Sequence, residues 1–243
     1  MSKLSQDLTP ADIGAMLDVS AVQAESTWDD ALYVLETADK YDASAVFLLG
    51  EMTRRAVPLI KERNARRVSE GRRPLKLGGV IGFPDGGALT EIKAAEARAL
   101  IQLGCDELDC VLNVGLARSG DWEAVAQDLA AIREAALGLT LKVILEVPYL
   151  DDAQIVRASE IVANSGAQYA KTSTGWPHEN KTSIAHVALM KRTVGDRCKV
   201  KAAGGIRDLE KLLALYDAGA RLFGIGYKSV IQIMEQAYQR QSV

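Results

Sequence analysis

Two lysines lie inside apolar strand patterns one strand apart, and each is followed by a glycine-bearing loop. Lys171 stands in Tyr169-Ala170-Lys171-Thr172-Ser173-Thr174-Gly175, and Lys201 in Lys199-Val200-Lys201-Ala202-Ala203-Gly204-Gly205. An ammonium in a strand core loses its hydration shell, which is costly. Relief comes from a lowered pKa, and a neutral amine at neutral pH is a nucleophile. Two adjacent lysines reinforce this, because each positive charge disfavours the other. Such a pair points to attack on a carbonyl through a Schiff base.

Side chains along a strand alternate between its faces. On that rule Glu107, Asp109, Val111 and Asn113 oppose Leu108, Cys110 and Leu112. Lys142, Ile144 and Glu146 oppose Leu141, Val143, Leu145 and Val147. Tyr169, Lys171 and Ser173 oppose Ala170 and Thr172, and Lys199, Lys201 and Ala203 oppose Val200 and Ala202. If the apolar rows face helices, one interior holds Asp109, Lys142, Glu146, Lys171 and Lys201. Charges in a confined interior must pair or change protonation. A buried ion-pair network that only sets strand register would explain one such residue. Five of them on four consecutive strands favour a catalytic site.

The elements that position these residues alternate. A short N-terminal helix near Pro10 to Met16 precedes a strand within Met16 to Val19. Further strands are expected at Ala45–Leu49, Leu77–Phe83, Glu107–Val114, Leu141–Val147, around Lys171, around Lys201 and at Arg221–Ile225. Helices follow each, with a repeat of about 30 residues per strand–helix unit. Ser26 or Thr27 is a candidate cap, as is Asp121, and Asp152 is expected to start a helix. Eight βα units imply parallel strands closed into a (β/α)8 TIM barrel, and 243 residues match its usual size of about 250. The whole chain, 1–243, reads as one domain. An open doubly wound sheet is disfavoured, because no Gly-x-Gly-x-x-Gly turn follows the first strand.

Composition narrows the function. There are 29 Lys and Arg against 32 Asp and Glu, a formal net charge of -3, which argues against a nucleic-acid or membrane-surface binder. No stretch approaches the roughly 18 apolar residues of a membrane span, and the N-terminal residues lack the apolar run of a secretory signal. The odd count of cysteines, Cys105, Cys110 and Cys198, suggests reduced thiols and a cytoplasmic protein. Only His178 and His186 are present, one expected in a loop and one on a helix. Metal-dependent aldolases and hydrolases generally want two or three histidines at ligand spacing, so no metal site is expected.

At these residues the chain resembles the deoxyribose-phosphate aldolase family, class I aldolases that cleave 2-deoxyribose 5-phosphate into acetaldehyde and glyceraldehyde 3-phosphate. The resemblance rests on Ile81-Gly82-Phe83-Pro84, Asp106-Glu107-Leu108-Asp109, Leu141-Lys142-Val143-Ile144-Leu145-Glu146, Lys171-Thr172-Ser173-Thr174-Gly175, Leu189-Met190-Lys191-Arg192-Thr193-Val194-Gly195 and Lys201-Ala202-Ala203-Gly204-Gly205-Ile206-Arg207. It implies that Lys171 forms the Schiff base, that Lys201 lowers its neighbour's pKa, and that Asp109 is the acid/base residue. It further implies substrate-binding roles for Lys142, Asp18, Ser20, Thr174, Gly175, Gly204, Gly205, Gly226 and Lys228. No cofactor is implied. The implied partner is a small aldehyde or sugar phosphate, and a homodimer is expected by analogy.

The chain departs from the family pattern in several places. Asp18-Val19-Ser20 stands where the family usually has Asp-His-Thr. Phe47-Leu48-Leu49-Gly50 replaces Cys-Val-x-Pro, and Trp176 replaces a loop lysine. The family's second phosphate loop, Gly-x-Ser-Ser, reads Gly224-Ile225-Gly226-Tyr227-Lys228-Ser229 here. These changes keep two alternatives open: a sister aldolase acting on a non-phosphorylated or carboxylated aldehyde, and a non-catalytic barrel that binds a phosphorylated ligand. Phe47 either reshapes the pocket wall or packs against a helix. Trp176 either roofs the substrate or covers the barrel edge.

Overall fold

Alternating apolar rows dictate the layers. In the computed structural model, which describes residues 3–176 and 182–242, eight parallel strands close into a barrel in sequence order. They are β1 (Leu17–Ala21), β2 (Ala45–Leu48), β3 (Lys76–Ile81), β4 (Glu107–Val111), β5 (Thr140–Ile144), β6 (Tyr169–Lys171), β7 (Lys199–Ala203) and β8 (Ala220–Gly226). Helix α1 (Pro10–Gly14) precedes β1. The helices α2 (Trp28–Lys40), α3 (Gly50–Ser69), α4 (Thr90–Leu103), α5 (Val114–Arg118), α6 (Trp122–Ala135), α7 (Asp152–Asn164), α8 (Ile184–Val194), α9 (Leu209–Asp217) and α10 (Tyr227–Gln241) then alternate with the strands. The expected barrel and its N-terminal helix are both present.

The main core lies between the strand ring and the helices. Val19, Val46, Leu108, Cys110, Leu141, Val143, Val200 and Ala202 all face it and are buried. The opposite parity faces the lumen. There Ala45, Phe47 and Val80 form one small apolar cluster, and Val111, Val114 and Ile144 form another.

Three strands stop sooner than their apolar runs suggest, each for a local reason. The β3 run ends where Gly82 takes φ 58°, a left-handed conformation that suits glycine. The β4 run ends where the Asn113 side chain accepts the Leu116 N–H and starts α5, a helix not anticipated from the sequence. The β5 run ends at Glu146, a non-glycine residue at φ 57°, followed by a 3-10 turn through Pro148. Thr27, not Ser26, caps α2 in a reciprocal box with Asp30; α7 starts at Asp152 as expected, capped by Asp151 in a box with Gln154. His186 belongs to the capping box of α8, with Ser183. His178 lies outside the described residues. Among the described residues no helix is long and apolar enough to cross a membrane, and no group of three potential metal ligands occurs.

One buried ion pair ties the outer layer together. Lys93 on α4 donates to Asp128 Oδ2 on α6 at 2.7 Å, and both side chains are buried. Asp128 also accepts from the Thr90 hydroxyl at 2.8 Å. Removing one member of such a pair leaves the other charge uncompensated in the interior. Asp128→Ala is therefore expected to lower unfolding free energy by about 3 kcal/mol or more in urea titrations, whereas Asp196→Ala, on an exposed pair with Lys191, should change it by less than about 1 kcal/mol.

Candidate active site

Register brings the two lysines together. Lys171 is paired directly with Lys201 across β6 and β7, and Asp109 with Lys142 across β4 and β5. All four point into the lumen, because strand parity there is shared. Lys171 Nζ donates to Asp109 Oδ2 at 2.7 Å, and Lys201 Nζ donates to the same oxygen at 2.7 Å. Lys201 also donates to Asp18 Oδ2 at 2.6 Å. Lys142 bridges Asp18 Oδ2 at 3.2 Å, Asp109 Oδ1 at 3.4 Å and the carboxylate of Glu107. The cluster thus holds three lysines and three carboxylates, all buried. Its charge balances when every group is ionised.

The network sets protonation. Burial pushes Lys171 down and Asp109 opposes this, while Lys201 and Lys142 lower it further; the result is a pKa of about 8. Burial, more than the neighbouring cation, is the main cause. Asp109 is pushed up by burial, but Lys171, Lys201 and Lys142 outweigh it and hold its carboxyl far below the usual range. Burial also disfavours the charged form of Lys142, yet Asp18, Asp109 and Glu107 keep its ammonium well above the ordinary range. Lys142 is thus a locked cation, and Lys171 is the lysine poised to lose its proton.

The residues after Lys171 fix its strand end to β7. Thr172 Oγ1 and Ser173 Oγ both donate to the Ala203 carbonyl, at 2.9 and 2.7 Å. Thr172 Oγ1 accepts the Ala203 N–H at 2.9 Å. Gly204 takes φ 90°, and a Cβ there would strike Ser173 Oγ. The hydroxyls of the Lys-Thr-Ser run therefore keep Lys171 and Lys201 level.

Two cavities meet above the cluster. The inner chamber, about 20 Å³, is bounded by Lys171, Lys201, Asp18, Phe47, Val80 and Phe83 among others. The outer basin, about 340 Å³, is lined by Gly175, Gly204, Gly205, Gly226, Lys228 and, besides these, Arg207. Ser20, Val22, Thr174 and Gly224 line both. The structure therefore brings Lys171, Lys201, Asp109, Asp18, Ser20 and Thr174 to one centre, and the predicted glycines and Lys228 to its mouth.

Lys142 is a correction. It lines neither cavity and its ammonium is taken up by three carboxylates, so it is an ion-pair partner and not a substrate contact. Glu146 also departs from expectation. It lies beyond the end of β5 and outside the lysine network, and its carboxylate accepts the Thr174 N–H at 3.1 Å and the Thr174 hydroxyl. Phe47 faces the lumen, with its ring centroid 4.7 Å from Lys142 Nζ and 4.4 Å from Lys201 Nζ. Trp176 donates its indole N–H to the Val22 carbonyl at 2.6 Å and meets Phe83 edge-on at 5.8 Å, which ties the β6 loop to the β1 loop.

A match to the family described as DeoC/LacD family aldolase covers residues 29–228. The chain belongs to that family. It is 39% identical over 227 residues to a deoxyribose-phosphate aldolase of Kocuria rhizophila, covering 93% of this chain and 98% of the relative. It is 38% identical over 224 residues to a deoxyribose-phosphate aldolase of Klebsiella pneumoniae subsp. pneumoniae, covering 92% and 87% respectively. Among solved structures it matches the tetrameric deoxyribose phosphate aldolase of Aeropyrum pernix with a TM-score of 0.82, at 28% identity, over 94% of this chain and 92% of the other. As a family aldolase it is a lyase.

Sequence reasoning did not single out Glu107 or Arg207. Glu107 shares strand parity with Asp109, and that parity was the available signal. Arg207 sits at the end of the Gly204-Gly205 run, where its side chain reaches the outer basin.

The neutral fraction of Lys171 should grow as pH rises, reaching half near its pKa of about 8. Reductive trapping of an aldehyde on Lys171 is expected to follow that curve. In Lys201→Leu a cation that lowers Lys171 is lost, so the midpoint should move up and trapping at pH 7 should fall by about tenfold or more. Peptide mass spectrometry across a pH series reads both.

Proposed function

We propose that this chain is a class I aldolase that cleaves 2-deoxyribose 5-phosphate to acetaldehyde and glyceraldehyde 3-phosphate through a Schiff base on Lys171. The observation that carries the reading is the shared Asp109 oxygen: it joins a lysine of lowered pKa to a second lysine at the wall of a cavity, in a chain of an aldolase family.

In this mechanism neutral Lys171 adds to the aldehyde carbon of the open-chain sugar. The carbonyl oxygen leaves as water, and the resulting iminium is an electron sink. The C2–C3 bond then breaks toward that sink as the C3 hydroxyl loses its proton. Asp109, held anionic, takes up the proton, and Lys201 on the same oxygen passes it on. The enamine is protonated at C2 and hydrolysed, which frees acetaldehyde and Lys171.

The outer basin suits the acceptor half. Helix α10 has 15 residues, and Gly226 before it provides no side-chain cap, so the first N–H groups are available to an anion. Gly204, Gly205, Arg207 and Lys228 line the same basin. These features support a phosphate there.

A second reading has its own observation. Tyr227 replaces a family hydroxyl position and donates to Asp30 Oδ1 at 2.7 Å, and Asp30 and Glu25 add carboxylates to the basin wall. Two carboxylates oppose a dianion, which favours a non-phosphorylated aldehyde. Cleavage rates for 2-deoxyribose 5-phosphate and 2-deoxyribose decide between them. The phosphorylated sugar should be preferred by a wide margin; equal rates, or none with either, would remove the phosphate assignment.

Asp109→Asn separates proton transfer from amine activation. Asp109 raises the pKa of Lys171, so its loss should move the trapping midpoint down. Turnover should nonetheless fall by about 100-fold or more, the usual weight of a general acid–base group. A variant that keeps near-normal turnover would show that Asp109 is only a charge partner.

A further inference from the structure

Phe47 forms part of the wall of the inner chamber. Phe47 is paired in register with Gly78 on β3, and its ring occupies the space above that glycine. A Cβ at Gly78 would fall inside the ring carbons. The ring also lies within reach of Lys142 and Lys201, at 4.7 and 4.4 Å from its centroid, where its π electrons replace part of the lost hydration of the two ammoniums. Phe47 is 3% exposed and packs beside Gly78 and the two cations. Across the chamber Gly224 leaves the lysine stems uncovered; a Cβ there would stand 3.3 Å from Lys201 Cε and 3.8 Å from Lys171 Cε.

What remains is about 20 Å³. A single water needs roughly 10 to 15 Å³ on that measure. The space beside Lys171 therefore admits one methyl-sized group and little more. The outer basin is many times larger, so it does not limit the acceptor in the same way.

Resting on the reading of Lys171 as the Schiff-base lysine, we infer that Phe47 sets the length of the donor aldehyde, admitting two carbons and excluding three. The carbonyl carbon bonds to Lys171 Nζ, and the one methyl beyond it fills the chamber. In propanal the extra methyl meets the Phe47 ring. Reshaping this wall changes which aldehyde becomes the enamine.

The test is reductive trapping on the intact protein with acetaldehyde and with propanal, in the presence of cyanoborohydride. The neutral amine and the aldehyde, with one proton taken up, give the iminium and water; hydride from the reagent then reduces C=N to a stable secondary amine. The readout is the ratio of ethyl to propyl adduct at Lys171, counted by peptide mass spectrometry. A general effect of the ring on lysine reactivity moves both adducts together and leaves this ratio unchanged.

The wild-type ratio is expected to exceed that of Phe47→Ala by roughly tenfold or more, the weight of one methylene in an apolar pocket. Phe47→Leu should fall between them, and it carries the test should the alanine variant fail to fold. In Phe47→Ala combined with Gly78→Ala, the new methyl re-enters the vacated space, and the ratio should move back toward wild type. A folded Phe47→Ala or Phe47→Leu protein with an unchanged ratio would overturn the inference and leave the Schiff-base reading standing. A wild-type protein without any Lys171 adduct would overturn both.

Discussion

A single carboxylate oxygen organises the interior. Asp109 Oδ2 receives both Lys171 and Lys201, and Asp18 takes a further contact from Lys201. Three cations face three anions, so the resting network is balanced. When Lys171 gives up its proton the balance tips to the negative side. In the proposed mechanism an iminium on the same nitrogen would restore it. The surroundings are therefore better suited to the cationic intermediate than to the free amine, which is the direction that helps a reaction passing through that cation.

The rest of the barrel serves to keep these groups level and dry. The hydroxyls of Thr172 and Ser173 fasten the end of β6 to the Ala203 carbonyl, and Glu146 holds Thr174 from the side of β5. Phe47 covers the lysines from β2, and Trp176 ties the loops above them. Rigid strands set the chemistry, while the more open basin above is framed by loop glycines and the start of α10. Departures from the family pattern fall on both sides of that division, with Phe47 in the strand layer beside the lysines. The changes at Gly226, Tyr227 and Trp176 fall in the upper layer, and the lysines and Asp109 lie below it.

Much of this could be read from parity and punctuation. Alternation along the fourth to seventh strands put Asp109, Lys142, Lys171 and Lys201 on one face, and the βα repeat implied that this face was a lumen. The same rule failed at Glu146, because it assumes that a strand continues; Pro148 and a left-handed backbone ended β5 first. The role of Lys142 was not legible either. A lysine that meets substrate and one that meets only carboxylates look alike until register shows which anions stand beside it. Phe47 remained ambiguous for a similar reason. Its direction depends on strand phase, and its fit depends on Gly78, some thirty residues away and visible only once β2 and β3 are paired.

The cluster draws its members from β1, β4, β5, β6 and β7. Neither half of the molecule is electrically complete alone. Of the buried members, the first four strands supply only acids and the last four only bases, though Lys76 at the start of β3 also reaches Glu107 at 3.3 Å. Splitting the gene between α5 and β5 would strand Asp18 and Asp109 in one fragment and three lysines in the other, each soliciting the other. A reordering of the chain that keeps all eight strands covalently joined would leave the ring of charges whole. This fold therefore tolerates a new starting point far better than it tolerates life as two autonomous halves.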